Sequence, residues 1–168
     1  MLRLAAWVLS LPVQASITSQ RNRLDRESVE LSREQKAKFA PYFSSHDLQR
    51  VRVVVQDPLP VAQPPLTSLV RRLGFDFPGV AQTAAITFDR VIAAREPMST
   101  SLLFHELVHT VQYRVLGVPK FAEEYVRGFL VTRAYHEIPL ERAAFQLERR
   151  FTSGGAPFSV EAEVLARL

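Results

Sequence analysis

From the N-terminus, the first patterned stretch is the apolar run Leu4 to Val13, preceded by Arg3 and followed by Gln14-Ala15. One positive charge, about ten apolar residues and a small-residue ending are the layout of a short secretory signal. Pro12 suits the end of a short buried helix equally well. Residues 1–15 are therefore a candidate signal peptide or N-terminal hydrophobic segment. Export to the periplasm is expected if it is cleaved, and a cytoplasmic protein otherwise. Residues 16–30 read as a polar, arginine-rich linker, and 31–168 as one domain. Ser32 with Gln35 three residues later predicts a capping box opening a helix that reaches Phe39, with Pro41 ending it. Alternation over Val51 to Val55 predicts a strand closed by Asp57-Pro58. Pro58, Pro60, Pro64 and Pro65 predict a stiff extended loop. Ser68 to Leu73 suits one or two helical turns stopped by Gly74, and Ala84 to Ile92 a second strand.

The period then changes to that of helices. Ser99, Thr100 and Ser101 offer N-caps, and Leu102 to Leu116 contains no helix breaker before Gly117 and Pro119. A second helix is expected from about Lys120 to Arg133. A third opens at Pro139, a residue suited to a first helical position, and runs to Phe151. Ser153 to Pro157 is a turn, and Val160 to Leu168 suits a short terminal helix. Strands first and helices second predict an α+β domain, with a short N-terminal β-sheet and a helical C-terminal half.

Composition narrows the chemistry. A length of 168 residues is one domain's worth, and 47% hydrophobic residues suffice for a real core. With no cysteine and only four histidines, disulfides and thiolate metal sites are excluded, and a metal would need His, Asp or Glu. The net charge of +4 comes from scattered arginines rather than a run, so no nucleic-acid partner is expected. No stretch has the 18 or more apolar residues of a membrane span. There is no glycine-rich phosphate loop and no recognisable Ser–His–Asp arrangement.

Two of the histidines fall in His105-Glu106-Leu107-Val108-His109, inside the strongest helix expectation. Four residues apart, their Cβ atoms stand about 6 Å from each other on one face. Both imidazoles can then reach a single zinc ion at about 2.0–2.1 Å. Glu106 is turned about 100° round the axis, beside the metal rather than on it. From there its carboxylate can accept a proton from an activated water. A helix burying two histidines and a glutamate needs partners for them, and a metal is one. The third ligand is expected downstream, among Glu123, Glu124, Glu137 and Glu141. Glu141 is favoured, because Pro139 starts its helix and small Ala143 and Ala144 allow a close approach.

His-Glu-x-x-His with a downstream helical glutamate resembles the gluzincin zinc metallopeptidases. The stretch His105 to Tyr113 is more closely similar to a bacterial family of uncharacterised metallopeptidase domains. Leu116-Gly117-Val118, Phe121, Tyr125 to Gly128 and Ile138 to Glu141 extend that similarity, which covers roughly Leu31 to Phe151. The resemblance implies a zincin-like fold, Zn2+ as cofactor, His105, His109 and Glu141 as ligands, and a peptide or protein substrate. It also implies that the strand beginning at Ala84 aligns a peptide. The chain departs from full-size gluzincins in lacking their large second domain. Tyr135 or His136 is a candidate donor to a developing oxyanion, and His46 is expected on the surface. The expected function is a zinc-dependent peptidase with Glu106 as general base. The alternative is a former enzyme, stabilised by zinc, that binds protein without cleaving it.

Overall fold

The structure, a computed structural model, describes residues 2–59 and 83–167. The expected proline-rich loop beyond Leu59 and the turns from Ser68 to Gly74 lie outside these residues. The chain opens not on a sheet but on a helix, α1 (Leu2–Leu24). Ala6, Ser10, Ile17 and Leu24 share its buried face, with Leu24 only 1% exposed. That spacing of four and seven residues is helical, and it carries the helix through Pro12 and through residues 16–24 of the expected linker. Outside this face, Leu4, Trp7, Val8 and Leu11 are exposed. No helix among the described residues is long and apolar enough to cross a membrane.

Strand β1 (Val29–Glu30) is followed by α2 (Arg33–Phe39), which starts as the capping box predicts. The Ser32 hydroxyl accepts from the Gln35 N–H at 3.1 Å, and Gln35 Oε1 accepts from the Ser32 N–H at 2.8 Å. Then come α3 (Ser45–Arg50) and β2 (Arg52–Val55). His46 is exposed, as expected, on α3. The single strand expected over Ala84 to Ile92 is instead a hairpin of β3 (Ala85–Phe88) and β4 (Val91–Ala94). Asp89 makes the reversal at φ 58°, in a left-handed conformation that aspartate tolerates better than most residues. The sheet has the order β1-β2-β4-β3, with β2 and β4 parallel and the two outer pairs antiparallel. Among the described residues β3 is therefore an edge strand.

The two helices expected after Ser99 form one run, α4 (Thr100–Thr132), bent at Gly117. Gly117 has φ 73° and ψ 157°, which a side chain would resist, and it redirects the second half. A single 3₁₀ turn (Tyr135–Glu137) leads to α5 (Pro139–Thr152), with proline at its start as predicted. A short α6 (Val160–Leu165) follows. The α+β class holds, in a single small domain. The first half of α4 is buried from Leu103 to Tyr113, and the helix as a whole packs against β3, α1, α5 and α6. On one side Phe104 stacks on Phe151 at 4.3 Å within a cluster holding Phe39, Phe43 and Tyr42. A second cluster of Ile17, Leu24, Phe121, Phe129 and Ile138 joins α1 to the bent half of α4. The histidine-bearing turn is gripped from both sides.

Candidate metal centre

His105 and His109 leave α4 one turn apart, with their Nε2 atoms 3.1 Å from each other. Glu141, in the first turn of α5, brings Oε2 to 3.4 Å from each of them. All three residues are 5% exposed or less. No other group of three histidine or acidic side chains suited to a metal occurs among the described residues.

The hydrogen bonds behind the rings decide what these three atoms are. Gln112 donates its amide N–H to the Leu140 carbonyl at 3.0 Å, which turns its Oε1 toward His109 Nδ1 at 2.8 Å. An amide oxygen only accepts, so His109 carries its proton on Nδ1. The Glu148 carboxylate lies 3.2 Å from His105 Nδ1 and assigns that ring the same tautomer. Both Nε2 atoms then present lone pairs, and Glu141 Oε2 is a buried oxygen without a hydrogen-bond partner. Three acceptors facing one another in a buried space repel unless a cation lies between them. Imidazole, imidazole and carboxylate are the donor set of a catalytic zinc, so the residues fit the metal. Without a metal that cation is a proton. Burial opposes charge on His109, but the facing Glu141 carboxylate, Glu106 and Gln112 together outweigh it and raise the pKa to about 9. Burial likewise opposes ionised Glu141, and His109 and His105 outweigh it, holding the carboxyl well below its usual range.

Glu106, 5% exposed, is held from the sheet side. Its Oε2 accepts a 2.5 Å hydrogen bond from the Thr87 hydroxyl on edge strand β3. Tyr125, on the second half of α4, donates to Glu141 Oε1 at 3.0 Å. Tyr135 is half-buried on the 3₁₀ turn, where burial and then the Glu141 charge push its phenol well up. His136 is exposed and meets the Tyr135 and Phe145 rings. The other acids lie away from the histidines. Glu123 pairs with Lys120, Glu124 with Lys120 and Arg127, and Glu137 is exposed.

Four residues around this centre escaped the sequence reading. Gln112, three positions after His109, shares a helix face with the residue it supports, which was a usable signal, whereas Glu148 reaches His105 from another helix. Thr87 and Tyr125 had none, since only the packed fold brings them in. No protein-family model matches the chain, and no curated protein or solved structure is significantly similar to it.

Proposed function

We propose that the chain is a small zinc-dependent metallopeptidase of gluzincin type, with His105, His109 and Glu141 as ligands and Glu106 as general base. The observation that carries this reading is the convergence of two imidazole Nε2 atoms and a partnerless carboxylate oxygen in a buried space. When bound, zinc supplies Lewis acidity, activating water for attack and polarising a scissile carbonyl. Glu106 takes the proton of the attacking water and passes it to the leaving amine. Thr87 engages one oxygen of that carboxylate, leaving Oε1 for the proton. Tyr135 keeps its phenolic proton and is the candidate donor to the oxyanion. The gluzincin resemblance adds a peptide or protein substrate, laid along β3.

The near-complete burial of His105, Glu106, His109 and Glu141 favours a second reading, a zinc-stabilised domain that binds protein without cutting it. Retention of Glu106 weighs against it, because a structural zinc needs no base. One experiment decides. Bound zinc and cleavage of an unstructured protein are measured for wild type, Glu106→Gln and Glu141→Ala. A peptidase gives about one zinc in wild type and in Glu106→Gln, with cleavage only by wild type, and much less zinc in Glu141→Ala. Zinc without cleavage in wild type selects the binding domain, and no zinc at all ends both readings.

A further inference from the structure

The carboxylate of Glu141 is treated asymmetrically by its surroundings. Oε1 accepts the Tyr125 hydroxyl at 3.0 Å, while Oε2 has no hydrogen-bond partner and faces both imidazoles at 3.4 Å. The donor is itself fixed. Tyr125 stacks on Phe121 at 5.9 Å between centroids, and Phe121 stacks on Tyr113 at 3.6 Å. This column runs from the histidine-bearing half of α4, across the bend at Gly117, to the half that carries Tyr125. The hydroxyl is therefore held in place by the element that also carries His105 and His109.

We infer that Tyr125 is a positioning residue that restricts Glu141 to a single ligating oxygen, so that a metal at this centre receives three donor atoms and keeps a coordination position open. The inference rests on the metal reading above and adds what makes the site open rather than closed. A carboxylate with both oxygens free can chelate a cation through the pair and fill the position that a water or substrate oxygen must take. A hydrogen bond to Oε1 opposes that rotation and occupies a lone pair there, so Oε1 is the weaker donor and Oε2 is the oxygen left to bind. Zinc sites with three protein donors and a vacancy are those that do chemistry, whereas filled sites are structural. Tyr125 thus holds the centre in the first class through another residue, without touching the metal.

The test compares wild type, Tyr125→Phe and Tyr113→Phe, loaded with zinc and separately with cobalt(II). Tyr125→Phe keeps the ring and its stacking and loses only the hydroxyl. Zinc affinity is expected to fall about tenfold to a hundredfold, the usual cost of removing a partner behind a ligand. The visible cobalt bands should weaken toward those of a higher-coordinate ion as the second oxygen binds. Tyr113→Phe makes the same chemical change in the same aromatic column and should leave both readouts as in wild type. An unchanged affinity and spectrum in Tyr125→Phe overturns the inference, as does an equal change in Tyr113→Phe, which would assign the effect to packing. X-ray absorption of the zinc-loaded wild type gives an independent reading that does not depend on any variant folding. One carboxylate oxygen at bonding distance supports the inference, and two overturn it. A wild type that loads neither metal removes the metal reading and this inference together.

Discussion

At the scale of the residue, the centre is a balance of charge set by which nitrogen holds each proton. In metal-free protein the pair of His109 and Glu141 makes stability depend on pH in both directions. The His109 pKa is raised from 6.5 to about 9, so its contribution is complete below 6.5 and is lost as pH rises through about 9. Glu141 is held below its ordinary 4.5, so its contribution is complete above 4.5 and is lost as pH falls through the lowered value. Chelated protein should therefore show a plateau of thermal stability between pH 4.5 and 6.5, declining on the alkaline side. His109→Gln should abolish that alkaline decline, and persistence of the decline in this variant would assign it to another group. Loaded protein behaves in the opposite sense, because protons compete with metal for the same lone pairs and acid releases it.

At the scale of the element, the position of Glu141 depends on how closely α5 can start beside α4. A Cβ on Gly128 would lie 2.7 Å from Pro139 Cδ and 3.0 Å from Ile138 Cγ2. Neither can yield easily, since Pro139 is locked in its ring and Ile138 is fully buried. Gly128→Ala should thus cost about 1–3 kcal/mol in chemical unfolding, the range for overpacking, and lower zinc affinity by shifting the helix that carries Glu141. Gly155→Ala, where a new Cβ meets only Ser153 Oγ at 4.0 Å, should leave both unchanged. Wild-type zinc affinity in Gly128→Ala would show that α5 is placed by other contacts. These elements were legible in the sequence to different degrees. The capping box at Ser32, the Ser99 cap, the break at Gly117 and the start at Pro139 are local chemistry and stand where expected. The β3–β4 hairpin was hidden because Asp89-Arg90 is not a glycine turn. Helix α1 was hidden because its second half is polar except at Ala15, Ile17 and Leu24, and the burial of Ile17 and Leu24 depends on distant partners. The pairing of His105 with His109, and Glu106 beside them, was readable from spacing on one helix. The contact of Thr87 with Glu106 joins residues 19 apart, and that of His105 with Glu148 residues 43 apart, so neither exists before the chain has packed.

At the scale of the whole molecule, many scattered arginines are tied to acids across elements. Asp89 holds Arg21 of α1 and Arg50 of α3, and Arg114 of α4 reaches Asp47 and Glu161. A metal bound at the centre would add a join between α4 and α5 that a ligand controls. Zinc at about a thousand times its dissociation constant should raise the unfolding free energy by about 4 kcal/mol. Thermal unfolding with and without chelator measures this, and Glu141→Ala should lose most of the difference. A zinc-independent melting curve in wild type would place the folding energy in the two apolar clusters alone. Part of that gain can be read from the separation of His105 and Glu141 along the chain. A metal joining residue 105 to residue 141 closes a loop of 36 residues, in a protein with no cysteine to make a covalent staple. Treated as a cross-link, such a closure removes unfolded-state entropy worth about 4 kcal/mol. The ion would then act as the chain's reversible substitute for a disulfide, indifferent to redox conditions and opened by acid or a chelator.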